Sequence, residues 1–112
     1  MVRIKRAKIG TVAGIDVTVS SAKGVARKFA PTRNMVTFFK RGTLSRASYA
    51  KEYNAILDKV PASTWAWLGS FGKEVTILCY CKDGQFCHTY LLAAYAAEHF
   101  PNLFEDATGG LR

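Results

Sequence analysis

Val75-Thr76-Ile77-Leu78-Cys79-Tyr80 is an unbroken, almost wholly apolar stretch rich in β-branched residues, and it constrains the fold more than any other part of the chain. A strand with one wet face alternates apolar and polar residues; a continuous apolar run predicts a central strand covered on both faces, the situation of parallel sheets. The segment after it fits a strand–loop–helix unit. Lys82-Asp83-Gly84 makes a loop, Phe86 to Phe100 reads as a helix apolar on nearly all sides, and Pro101 stops it.

The rest of the chain supplies partners for this unit. Val2 to Ile9 alternates apolar and basic residues and predicts a strand with one wet face. Gly10 to Gly14 is a turn, and Ile15-Asp16-Val17-Thr18-Val19 a second strand. Ser20 or Ser21 is placed to cap a short helix running toward Lys28. Thr32 to Arg41 predicts a helix ending at Gly42, although Val36-Thr37-Phe38-Phe39 would also serve in a strand. Ser45 caps a helix whose Tyr49, Tyr53, Ile56, Leu57 and Val60 form one apolar stripe. Pro61 opens another, carrying Trp65, Leu68 and Phe71 and closed by Gly72, and Asn102 to Glu105 adds a short last strand. Strands separated by helices predict an α/β fold: a small, largely parallel central sheet sandwiched by helices, as a single domain over residues 1–112.

Composition sets the class. At 112 residues with 49% apolar content, the chain is suited to one folded domain and is too apolar for disorder. No apolar run approaches the roughly 18–20 residues that span a bilayer, so no membrane partner is expected. Met1 to Gly10 is basic without a following apolar block, unlike a secretory signal, and three cysteines are an odd number for a disulfide scaffold. Both features predict a cytoplasmic, reducing setting. The net charge of +8 is unevenly spread: Met1 to Lys51 carries +11, and Glu52 to Arg112 carries −3. Such asymmetry suits a surface for phosphates, nucleic acid or an acidic partner; its plainer role is solubility.

Reactive side chains concentrate in Cys79-Tyr80-Cys81-Lys82-Asp83-Gly84-Gln85-Phe86-Cys87-His88-Thr89. Cys81 is expected at the carboxyl end of the central strand, with Cys87 and His88 in the first turn of the next helix. Ligands of open α/β sheets bind outside that end, where helix N-termini present free N–H groups that also favour a thiolate. Cys79, inside the strand, is expected to be core. Three chemistries use these donors: an anion site, a nucleophilic cysteine with His88 as base, or zinc held by Cys81, Cys87 and His88 with Cys79. The spacing lacks paired C-x₂-C arms, so no cofactor is expected. The loop after Cys81 is similar in length to the phosphate cradle of cysteine phosphatases, but Cys87 stands where those have arginine.

The strand Val75 to Cys81, then Phe86-Cys87-His88 and an apolar helix, resembles domain-of-unknown-function family 488. There a strand of the form V-T-L-L-C is followed by C-H at a helix start. Ile15-Asp16-Val17-Thr18 with Ser21 and Phe29-Ala30-Pro31, and the Ser45-to-Tyr53 helix, agree in order, so the likeness runs from Gly14 to Leu92. It implies an α/β sandwich and a pocket around Asp16, Ser21, Cys87 and His88, but no activity. Members commonly have arginine after Cys-His; here Thr89 stands there, which implies an anion contact moved to Arg33 or Lys82.

The resulting expectation is a domain that binds or acts on a phosphate-bearing ligand, nucleotide or nucleic acid, at the Cys-His helix start. Cys87, Cys81, His88 and Asp16 would carry the chemistry, Asp16 as the orienting carboxylate, and Ser21, Arg33, Lys82, Gly84 and Thr89 would hold the ligand. A non-catalytic module for nucleic acid or an acidic protein, and a small zinc protein, are the competing readings.

Overall fold

The computed structural model describes residues 1–110. Its centre is a four-stranded, all-parallel sheet in the order β2-β3-β1-β4, built from β1 (Val2–Lys8), β2 (Ile15–Asp16), β3 (Glu74–Cys79) and β4 (Phe104–Asp106). A short 3₁₀ helix (Gly24–Phe29) and α1 (Arg33–Lys40), α2 (Arg46–Asp58) and α3 (Ala62–Leu68) join β2 to β3, and α4 (His88–His99) joins β3 to β4. The parallel α/β expectation holds, and the firmest apolar run is indeed an inner strand. No helix of the described residues is long and apolar enough to cross a membrane.

Register explains which side of the sheet is dry. Ile4 pairs with Val75 and Arg6 with Ile77, so these four share a face, and Ile4 and Ile77 are fully buried. Every helix contributes to the core on that face: Phe29, Met35, Tyr53, Trp65, Leu92 and their neighbours pack with Val75 and Phe104. On α4, Leu92, Ala93 and Ala96 are fully buried, and the two alanines let the helix lie close to β1 and β3. The opposite face carries Arg3, Lys5 and Glu74, joined in exposed ion pairs that Arg3 extends to Glu105. There the 9–14 segment does the covering: a Cβ on Gly14 would lie 2.5 Å from the Thr76 carbonyl oxygen, so only glycine lets it pass so close.

That segment is a short link between parallel strands, which usually takes a dozen residues or more. It suffices because Ile15 pairs with Ile77, near the carboxyl end of β3, so the chain need not return along the sheet. Several boundaries differ from those expected. The second strand stops at Asp16, not Val19, because the Asp16 carboxylate accepts from the Thr18 N–H (2.9 Å) and hydroxyl (2.7 Å) and turns the chain. The helix expected from Ser20 or Ser21 is the 3₁₀ turn beginning at Gly24. Thr32 and Ser45 cap α1 and α2 through their hydroxyls. The third helix ends at Leu68, leaving Phe71 half exposed. The last starts at His88 rather than Phe86, with Cys87 as its extended N-cap.

Candidate functional site

The carboxyl ends of β1 and β3 meet the first turn of α4 around one guanidinium. Arg6 lies on the dry face because it continues the Val2, Ile4 alternation, and its side chain is only 2% exposed. A buried cation needs partners on every side, and Arg6 has them. Nε donates to Thr89 Oγ1 (3.2 Å), Nη2 to Cys79 Sγ (2.9 Å) and the Cys81 carbonyl (2.6 Å), and Nη1 pairs with Asp83. The Tyr90 ring covers it, with the guanidinium carbon 5.2 Å from the ring centroid.

Three sulfurs gather beside it. Cys79, Cys81 and Cys87 place their Sγ atoms within 4.8 Å of one another, and all three are free thiols. The Cys87 thiol donates to Cys79 Sγ at 3.1 Å. Hydrogen bonds from Cys81 and Cys87, strengthened by Arg6, hold Cys79 far below the usual thiol range despite its burial. Cys87 and Cys81 are pushed up, first because their protons are held on Cys79. The arrangement therefore favours negative charge on Cys79 over the other two sulfurs, with the Cys87 thiol and the Arg6 guanidinium both donating to it. Cys79 is buried as expected of a core residue, yet its sulfur is the centre of a polar network.

His88 is oriented by backbone. Its Nε2 lies 2.8 Å from the Val17 carbonyl oxygen, an acceptor only, so Nε2 carries the proton and Nδ1 is the open acceptor, 3.6 Å from Cys87 Sγ. Burial pushes the imidazole below its ordinary pKa, which keeps it neutral.

Cys79, Cys81, Cys87 and His88 line a cavity of about 140 Å³. Four aromatic rings, Phe39, Tyr49, Tyr80 and Phe86, also line it, with Lys40 and small polar and aliphatic residues. Arg46 lies over the Phe86 ring, 5.3 Å from its centroid. The structure thus brings together three of the four residues expected to carry chemistry. Asp16 is apart from them: with Ser21 it lines a different cavity beside Trp67 and Phe71. Burial raises the Asp16 pKa, but bonds from Ser21 and Thr18 outweigh this and leave it lowered. The Val17 carbonyl, not the Asp16 carboxylate, orients His88.

The expected ligand-holding residues are scattered. Arg33 is exposed at the first residue of α1 and lines neither cavity. Lys82 is exposed on the loop. The Gly84 N–H donates to the Tyr90 hydroxyl at 2.7 Å and helps line a third cavity, which contains Arg6 and Asp83. Thr89 is fully buried, so its partner is Arg6 rather than a ligand. The cation facing the position after Cys-His is therefore Arg6, not Arg33 or Lys82. Its signal was present in the sequence: a basic residue at the inward position of an alternating strand.

Three sulfurs this close are a donor set suited to a thiophilic metal ion. Arg6 opposes such an ion, since a guanidinium already lies 2.9 Å from the Cys79 sulfur and would repel a second cation there.

No curated protein and no solved structure matches the chain. One family model does, over residues 3–99, a span that runs from β1 through the end of α4 and holds Arg6, all three cysteines and His88. On that match the chain belongs to the family described as DUF488-N3a, "Active DUF488-N3 subclade".

Proposed function

We propose that the domain binds a phosphate-bearing ligand of the nucleotide or nucleic-acid class at the carboxyl end of β3, and acts on it through Cys87 and His88. The observation that carries this is the composition of one cavity wall: three cysteine sulfurs, an imidazole with an open acceptor nitrogen, four aromatic rings and Lys40. Aromatic rings offer stacking surface to a base. Lys40 and Arg46 supply positive charge at the rim, and the first turn of α4 adds N–H groups without helical partners. His88 Nδ1 is the nitrogen placed to take the proton from Cys87, freeing its sulfur to attack. The word "Active" in the family description agrees with a site that does chemistry. A cytoplasmic setting keeps these thiols reduced.

The test is equilibrium binding of a fluorescent nucleoside monophosphate and of a short fluorescent oligonucleotide. Affinity is expected to fall steeply between about 50 and about 300 mM salt, and Lys40→Ala to weaken it about fivefold. Binding that salt leaves unchanged, or no binding of either probe, overturns the reading. Bound ligand should also protect Cys87 from alkylation, and His88→Ala should slow that alkylation while sparing affinity. If His88→Ala leaves Cys87 reactivity unchanged, the domain is a binding module without chemistry.

The sulfur triad favours a second reading, a small zinc protein. Elemental analysis of chain purified without added metal decides it: stoichiometric zinc supports it, and its absence removes it.

A further inference from the structure

The Cys79 sulfur is left without a task by the ligand reading, and its surroundings are specific. Arg6 Nη2 donates to its sulfur at 2.9 Å, and Thr89 Oγ1 lies 3.8 Å from it. The two are locked to each other by the Arg6 Nε bond to Thr89. A second thiol, Cys87, waits at 3.1 Å, about 1 Å beyond the length of a disulfide bond. Cys79, Cys81 and Cys87 all line the cavity of about 140 Å³, ample against the roughly 10–15 Å³ that one water needs.

We propose that this cluster is a hydroperoxide-reducing dithiol centre in which Cys79 is the oxidised residue and Cys87 resolves it. The Cys79 thiolate attacks the terminal oxygen of a small hydroperoxide, ROOH. An S–O bond forms, the O–O bond breaks, and the sulfur gives up two electrons. The departing RO⁻ takes a proton from water and leaves as ROH. Arg6 and Thr89 stand where they can donate to the oxygens as negative charge develops on them. Cys79 is then a sulfenic acid. Cys87, whose proton on Cys79 oxidation can pass to His88 Nδ1 at 3.6 Å, attacks the Cys79 sulfur as a thiolate. The S–S bond forms, the S–O bond breaks, and hydroxide takes the proton and leaves as water. An external dithiol restores both thiols by exchange and becomes a disulfide itself, entering past the half-buried Cys81. None of these steps needs the phosphate ligand, because the first nucleophile is Cys79 and the co-reactant is a hydroperoxide; only the resolving step shares Cys87 and His88 with the ligand reading.

The experiment titrates the fully reduced chain with hydrogen peroxide without other thiols, follows free thiols, and maps the product by mass spectrometry under non-reducing conditions. One equivalent of peroxide is expected to remove two of the three thiols and the mass of two hydrogens, with the new disulfide between Cys79 and Cys87. A dithiol should reverse it. Thr89→Val should slow oxidation about tenfold, the worth of one hydrogen bond, and Thr89→Ser, which keeps the hydroxyl that Arg6 Nε needs, should oxidise at nearly the wild-type rate. A first-formed disulfide that includes Cys81, oxidation stopping at one sulfinic acid, or a rate no faster than that of free cysteine overturns the proposal. The wild-type map decides it even if Thr89→Val does not fold.

Discussion

Trp65 and Cys79 are equally withdrawn from water, 2% and 1% exposed, but what holds each in place is different in kind. Trp65 sits among rings, with centroids at 5.0 Å to Phe29, 5.2 Å to Phe100 and 5.6 Å to a stacked Tyr95. Those contacts are apolar and forgiving of direction, and their worth scales with the area and volume they fill. Cys79 sits among Arg6, Cys81, Cys87 and Thr89, where each contact has a donor and an acceptor and the charges must balance. In the aromatic region a lost side chain leaves a cavity. In the sulfur region a lost partner leaves a charge.

The largest effect belongs to the aromatic region. Trp65→Ala is expected to destabilise the fold by about 4 kcal/mol, from lost transfer energy plus the residual cavity, measured as a shift in the urea midpoint at constant slope. Trp65→Phe should recover more than half of that, because filling volume is what counts there.

Arg6→Met tests the other region with a substitution that keeps volume. It should cost about 3 kcal/mol near neutral pH, because the Cys79 thiolate is then buried without its cation. Thiolate absorbance in the ultraviolet should fall as Cys79 takes up a proton. Adding Cys79→Ser should then cost far less in the Arg6→Met background than in the wild type, the coupling expected of residues in one network. Additive losses would show that the sulfur region is held by packing, like the aromatic one.

The elements legible in the sequence are those that one strong local pattern decides. The apolar run from Val75, the stripe through Tyr49, Tyr53 and Leu57, and the stop at Pro101 all appear in the structure with small changes at their ends. Local pattern fails where a side chain competes with a ladder, as Asp16 and Thr18 do in ending β2. It also fails where partners are far apart in the chain. Arg6 reaches Cys79, Asp83 and Thr89 across more than seventy residues, and no local pattern announces that meeting. The gathering of Cys81, Cys87 and His88 was legible because a strand end and the next helix start are neighbours in any parallel sheet. Asp16 itself lines the neighbouring cavity, while Thr18, Val19 and Ser20 of the turn it caps line the one at that junction, so the Val17 carbonyl rather than the Asp16 carboxylate reaches His88.

The two regions should also answer differently to pH. The aromatic contacts among Phe29, Trp65, Phe100 and Phe104 hold no group that titrates. In the sulfur region the folded pKa of Cys79 is depressed, so its contribution is present above the unfolded thiol value of about 8.5 and is lost as pH falls. Cys81 and Cys87 are raised, so theirs is present below that value and is lost as pH rises. Stability should therefore peak near pH 8.5–9, roughly the unfolded thiol range, changing by about 1.4 kcal/mol per pH unit for each proton. His88, depressed by burial, adds a steeper loss below about pH 6.5. Urea midpoints measured across pH should show the rise between about pH 6.5 and 8.5 removed in Cys79→Ser and retained in Trp65→Phe, with the His88 loss at lower pH present in both.

The smallest effect is expected at the edge of the sulfur region, and it sharpens the contrast most. Asp83 pairs with the same guanidinium as Cys79, but its side chain is 87% exposed against 2% for Arg6. Water replaces an exposed carboxylate at little cost, and Arg6 keeps Thr89, Cys79 and the Cys81 carbonyl. Asp83→Asn should therefore cost less than about 1 kcal/mol in the same urea measurement, although it shares an ion pair with the residue whose loss is severe. A cost rivaling that of Arg6→Met would mean that the loop through Lys82, Asp83 and Gly84, rather than the buried thiolate, is what neutralises Arg6, and the charge balance of the region would have to be assigned to Asp83.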